Sequence, residues 1–306
     1  MTTPPASSAA SARGTPPAEI DISDALVRAL LRAQHPDLAG LAIEPVASGW
    51  DNATFRVGEH LAARLPRRAA AAALILHEQA WLPHLQGRLP LQVPAPLRSG
   101  TPQAGYPWPW SLVPWIAGTP ADLAPPVDAD AGDALAAFFE ALHQPAPADA
   151  PSNPFRGVPL AARSDLFEQR FARAGQVAPM PAARIRALWD DACAAPAAAR
   201  ALWLHGDLHP RNVLVDGGRI VAVIDWGDMA RGDHATDLAA VWMLLPQRAQ
   251  RERALARCPH ATPADWRRAR GWALLFGLML LDAGLADDPR MRRVAERCFA
   301  NLMQGP

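Results

Sequence analysis

The hydrophobic pattern of this chain changes period once, and that change limits the fold more than any other feature. Up to about residue 115 the apolar residues come in short alternating segments, at 42–47, 54–57, 61–65, 94–99 and 110–115. Alternation at every second residue marks strands with one face buried. A stretch with Ile22, Leu26 and Leu30 at helical spacing, 20–33, precedes them, and an alanine- and leucine-rich helical stretch, 69–85, follows the third strand. Beyond Gly118 the segments lengthen, and 129–143, 160–174, 182–194, 235–245, 264–284 and 289–303 read as helices. The expectation is an α+β chain of two lobes: a small antiparallel β-sheet with one inserted helix, then a larger, mainly helical part. Residues 1–18 are Pro, Ser, Ala, Thr and Gly with almost no large apolar group, which predicts a disordered tail.

Composition excludes more than it assigns. The chain has 306 residues, half of them apolar, enough for a substantial core, and 30 basic residues balance 30 acidic ones. No global field therefore favours nucleic acid or an anionic membrane as partner. Every basic residue is arginine; there is no lysine, which removes any chemistry that needs an amine side chain. The three cysteines, Cys193, Cys258 and Cys298, are scattered and form no CxxC pair, so a reducing, cytoplasmic setting is expected. The N-terminus lacks a signal-peptide pattern, and the apolar run from Trp272 to Leu281, interrupted by Gly277, reads as too short to cross a bilayer.

Two apolar runs, 213–215 and 220–224, flank the turn Asp216-Gly217-Gly218, a hairpin signal. Asp207 and Asn212 lie on the loop entering this hairpin, within LHGDLHPRNVLV, and Asp225 lies at its exit, within VIDWG, so all three reach one edge. A carboxylate and an amide oxygen are hard ligands suited to Mg²⁺, which keeps several waters and is completed by substrate phosphates. Asp207 is left to orient a hydroxyl. That is the equipment of phosphoryl transfer, where the protein mostly positions groups and neutralises charge.

The set His205-x-Asp207, Asn212, then Ile224-Asp225-Trp226-Gly227 and GDHATDLA at 232–239 resembles the signature of the aminoglycoside phosphotransferase family, relatives of the protein kinases. The resemblance implies a protein-kinase-like bilobal fold with lobes at 19–113 and 119–306 joined by a hinge at 114–118. It implies Asp207 as catalytic base, Asn212 and Asp225 as Mg²⁺ ligands, and His205 and Asp237 as supports of the loop. ATP or GTP would be co-substrate, and a small hydroxyl-bearing molecule the acceptor.

By the same resemblance the first lobe should supply a nucleotide site. Ser48-Gly49-Trp50-Asp51-Asn52-Ala53 lies between the first two strands, where Gly49, Trp50 and Asn52 can approach phosphates, although no GxGxxG pattern is present. Arg64, in RLP on the third strand, stands where a kinase carries its lysine, and Glu78 on the following helix is its expected ion-pair partner. At the hinge Pro114 cannot donate, so the Val113 carbonyl and the amides of Trp115 or Ile116 are the expected contacts to the base. The acceptor stays open: the last helices offer both aromatic residues (Trp242, Trp266, Trp272, Phe276) and acids (Asp265, Asp282, Asp287, Asp288). A nucleotide-binding pseudoenzyme without transfer activity and a protein kinase proper are the alternatives.

Overall fold

A computed structural model describes residues 16–103, 105–177, 180–286 and 288–305. Most of the expected tail, and Asp287, lie outside the described residues; 16–18 have no regular structure.

The first helix, α1 (Asp24–Gln34), begins where Ser23 Oγ accepts the Leu26 amide at 3.3 Å, and it buries Val27, Leu30 and Leu31. Strands β1 (Ile43–Ser48), β2 (Asn52–Val57) and β3 (Leu61–Pro66) follow, then α2 (Ala69–Gln86), β4 (Arg98–Gly100) and β5 (Trp110–Pro114). They form one antiparallel sheet in the order β1-β2-β3-β5-β4. Alternation along β3 turns Ala63 and Leu65 into a core shared with Val27, Phe55 and Trp110, and sends Arg64 to the opposite face, toward α2. The fourth strand is shorter and later than the sequence suggests. Residues 91–95 instead pack on the larger lobe, where the Gln92 amide donates to Val221 O at 3.0 Å.

The larger part opens with β6 (Thr119–Pro120), α3 (Ala131–Leu142), α4 (Ser164–Val177) and α5 (Ala182–Cys193), and continues through β7 (Leu202–Leu204), β8 (Val213–Asp216), β9 (Arg219–Val223) and β10 (Ala230–Gly232). The expected hairpin is present as β8 and β9, with Gly217 and Gly218 at φ +54° and +82°, as a two-residue turn with both central residues left-handed requires. The pair β7–β10 was not anticipated. Next come α6 (Ala235–Leu238) and α7 (Ala240–Leu244), where one helix was expected, then α8 (Arg248–Ala256), α9 (Pro263–Ala286) and α10 (Pro289–Gln304).

The expectation about α9 needs correction. The helix runs unbroken through Gly277 and is long and apolar enough to cross a membrane by length and composition, yet 61 % of its apolar window is buried within the fold. Gly277 is a contact point and not an interruption: a Cβ there would lie 2.7 Å from the Phe299 ring of α10. Mixed α/β composition, an antiparallel sheet and a helical part agree with the bilobal expectation.

Candidate active site

Short strand pairing fixes the loop that carries Asp207. Leu204 of β7 pairs with Ala230 of β10, so the chain leaves the sheet at His205 in a set direction. The buried Asp237 carboxylate in α6 then accepts two successive backbone donors, His205 N at 2.7 Å and Gly206 N at 2.8 Å, and His143 Nε2 donates to it at 3.3 Å. Burial alone would raise the Asp237 carboxyl; His143, His205 and the loop amides outweigh it and hold it below the ordinary aspartate range. Gly206 has φ +86°, and a Cβ on it would stand 2.4 Å from Asp228 O, so both dihedral and space demand glycine.

His205 joins this loop to the next one. Its Nδ1 accepts the Asp207 amide at 3.2 Å while Nε2 faces Ile224 O at 3.0 Å, which assigns the neutral tautomer with the proton on Nε2. The ring also meets Trp226 edge-on at 4.8 Å. Asn212, closing a single 3₁₀ turn, donates Nδ2 to Asp207 O at 2.9 Å, and its own carbonyl accepts Ile224 N at 2.9 Å. The amide nitrogen is thus engaged, which leaves Oδ1 as the atom with affinity for a cation. Asp225 has φ 60° and ψ 69°, and among the described residues no other non-glycine has a positive φ. Such a conformation costs roughly 1–2 kcal/mol and persists where the surroundings impose it.

Arg64 reaches this edge from β3. Nη1 donates to Glu78 Oε2 at 2.5 Å and Nη2 to Asp225 Oδ1 at 2.8 Å, so one guanidinium spans both lobes. Glu78 is fully buried, and burial pushes its carboxyl up despite the arginine. Asp207, Asn212 and Asp225 line one cleft of about 350 Å³, together with Gly49, Trp50 and Asn52. The turn is pinned from behind, by Arg67 Nη1 on Gly49 O at 2.5 Å and by Arg68 on Asp51 at 2.5 Å. The Gly49 amide closes the turn on Asn52 O at 2.9 Å and is not a free phosphate donor, contrary to the expectation of exposed amides here.

Two hinge expectations also need correction. The Trp115 amide donates to His60 O at 2.7 Å, so it is engaged within the sheet. Val113 stands opposite Ala62, two residues earlier in the same phase of the β3–β5 ladder, and its backbone groups turn to β3 as well. The opposite phase carries Pro114 O and the Ile116 amide. Ile116 packs on Leu214 and Ala222, and the Trp115 ring lies under Arg56 at 5.1 Å.

Other residues complete the site: His209 lies inside the LHGDLHPRNVLV stretch, whereas Arg156 and Asp228 belong to none of the sequence motifs. Arg156 Nη2 donates to Asp207 Oδ1 at 3.0 Å, and His209 Nε2 lies 3.4 Å from Oδ2. Burial would raise the Asp207 carboxyl, but His209 and Arg156 outweigh it and hold it well below the usual range. Asp228, donated to by Asn153 Nδ2 at 2.6 Å, is pushed up by burial and by Asp207. Arg156 lies in the proline-rich connection before α4, fifty-one positions from Asp207, and only the three-dimensional fold brings the two together. The oxygens of Asn212 and Asp225 are hard donors lining one cleft, a donor set that suits a magnesium ion.

Among known proteins, hygromycin-B 4-O-kinase of Escherichia coli is 37 % identical over 87 residues, 28 % of this chain; the chain spans about a quarter (25 %) of that relative's length. The structure of aminoglycoside 2'-phosphotransferase-IIIa in complex with GDP superposes with a TM-score of 0.68 at 18 % identity, covering 93 % of this chain and 100 % of that one. The macrolide 2'-phosphotransferase of Brachybacterium faecium gives 0.57 at 23 % identity, covering 93 % and 99 %. At these identities the likeness concerns the fold. Residues 42–272, well over half of the sequence and including Asp207, Asn212 and Asp225, match the phosphotransferase enzyme family, and the chain belongs to that family.

Proposed function

We propose that this protein transfers the γ-phosphate of ATP or GTP, with Mg²⁺, to a hydroxyl of a small molecule. The observation that carries the reading is that Asp207, Asn212 and Asp225 line one cleft while Arg64 ties Asp225 to Glu78. The acceptor oxygen forms its bond to the γ-phosphorus as the bond to the bridging oxygen breaks, and the nucleoside diphosphate leaves. Asp207 takes the acceptor's proton; held below the usual carboxylate range, it is ionised at neutral pH and oriented by Arg156. Asn212 Oδ1 and Asp225 would hold a magnesium ion, which would supply neutralisation of charge on the phosphate oxygens. Arg64 presents its guanidinium to phosphate, with Glu78 fixing the side chain, and Pro114 O with the Ile116 amide offers an acceptor and a donor to the base. His205 holds the two loops in register.

Protein incubated with labelled ATP or GTP, Mg²⁺ and a panel of hydroxyl compounds should label an acceptor. Asp207→Ala should lower transfer by roughly 10²–10⁴-fold while nucleotide binding, read by calorimetry, stays within a few-fold. Intact binding with no transfer by the unmodified protein would favour a nucleotide-binding protein without activity, a reading consistent with the engagement of both arms of Arg64.

A further inference from the structure

The turn that carries Arg156 is pinned on both sides. Asn153 Oδ1 accepts the amides of Phe155 at 2.8 Å and Arg156 at 3.1 Å, and its Nδ2 donates to Asp228 Oδ1 at 2.6 Å. The Gly157 amide donates to Thr236 Oγ1 at 3.1 Å, and its carbonyl accepts the Asp233 amide at 2.8 Å. Gly157 has φ +66°, and a Cβ on it would stand 2.4 Å from Leu204 Cδ1, so the turn closes on the strand that leads into the Asp207 loop. With the backbone fixed, the guanidinium lies over the Phe276 ring at 4.9 Å and Nη2 reaches Asp207 Oδ1 at 3.0 Å.

Arg156 differs from the other arginines of the cleft in its partner. Arg170 pairs with Asp282 and Arg211 with Asp288, acids that keep their charge throughout the transfer. Arg156 pairs with the acid that loses it. As the acceptor oxygen bonds to the γ-phosphorus and the bond from phosphorus to the bridging oxygen breaks, the acceptor's proton passes to Asp207, which becomes neutral. The Arg156 side chain is only 12 % exposed, and among the described residues no carboxylate but Asp207 lies within 4.0 Å of it. A buried cation stripped of its counter-charge is costly. The acceptor hydroxyl must come within about 2.6–3.2 Å of the carboxylate to give up its proton, and phosphorus adjoins that hydroxyl. A guanidinium 3.0 Å from the same carboxylate therefore borders the phosphoryl oxygens, the anion nearest to hand when Asp207 is discharged. A bond from Arg156 to those oxygens is opposed while Asp207 is charged and unopposed once it is neutral, so it favours the transition state over the bound substrates.

We infer that Arg156 is a second catalytic residue, whose guanidinium passes from Asp207 to an oxygen of the phosphoryl group as Asp207 takes up the acceptor's proton. This rests on the phosphotransfer reading above. The probe is Mg-ADP with and without aluminium fluoride, an anion that stands in for the phosphoryl group in flight, and binding is read by calorimetry with no acceptor present. Aluminium fluoride should tighten Mg-ADP binding to the unmodified protein by roughly 10²-fold. R156Q should cut that gain by roughly 10–100-fold while affinity for Mg-ADP alone stays within a few-fold, and R156K should keep part of it. D207N gives residue 207 the neutral state it reaches during transfer, so it should enlarge the gain several-fold, and in R156Q/D207N the enlargement should vanish. An arginine that only braced the fold would show no such dependence on the charge of residue 207; melting curves show whether each variant is folded. A gain unmoved in folded R156Q, a gain no larger in D207N, or an enlargement that survives without Arg156 would overturn the inference. So would Mg-ADP binding that aluminium fluoride leaves unchanged, with the phosphotransfer reading intact; failure of the unmodified protein to bind Mg-ADP sinks that reading as well.

Discussion

His234 should make this fold sensitive to acid by a predictable amount. Its side chain is 7 % exposed, both ring nitrogens lack a partner, and the rings of His143 and His260 lie 5.2 and 6.2 Å away. The neighbouring carboxylates give little help, because Arg268 bridges Asp233 and Asp265 with three hydrogen bonds. Burial first, then the charge of His143, bring the imidazole from its ordinary 6.5 down to about 4. A depressed histidine is neutral in the fold while its unfolded counterpart takes up a proton, so stability is complete above pH 6.5 and falls as the pH drops toward 4. At about 1.4 kcal/mol per unit the loss is ~3 kcal/mol, a large share of a typical domain's stability. Urea denaturation of the unmodified protein and of His234→Gln between pH 8 and 4 measures it. The glutamine variant should begin lower at pH 8 but fall less across the window. Two curves running parallel from 6.5 to 4 would refute the assignment of the loss to His234.

Three other substitutions probe the cleft. Arg64→Gln leaves Glu78 buried without a counter-charge and should cost roughly 3–5 kcal/mol at pH 8. The double change R64Q/E78Q should recover more than half of that by calorimetry, and additive losses would speak against coupling. Gly206→Ala forces a Cβ into Asp228 O at 2.4 Å in a left-handed backbone, so a drop in Tm of several degrees together with lost transfer is expected. Asp237→Asn removes the charge that two loop amides share; transfer should fall at unchanged nucleotide affinity, with amide hydrogen exchange at 205–207 accelerated.

What could be read from the sequence was whatever repeats locally. The β8–β9 hairpin declared itself through two glycines between apolar runs, whereas the pairing of Arg64 with Glu78 was expected from the family resemblance and not from any local period. The pair β7–β10 stayed hidden, since three residues are too few to show a period and the partners lie twenty-six to thirty positions apart. So did α8, a polar segment whose buried Gln250 and Arg251 reach across to Pro126 O and Asn301. The hinge contacts were misassigned for a related reason: which backbone groups an edge leaves open depends on the phase of its ladder, and phase is set by the neighbouring strand. Arg156 had no local mark of any kind.

The two-armed contact of Arg64 gives the absence of lysine a mechanical meaning. An ammonium head serves partners around a single point, whereas a planar fork holds a helix of one half with one prong and a strained loop of the other half with the second. Widening the gap between the halves by much more than an ångström must break the longer prong first, because the other is locked in a dry ion pair. A phosphate arriving at that prong therefore competes with the clasp that holds the molecule shut, and occupancy and aperture become a single variable.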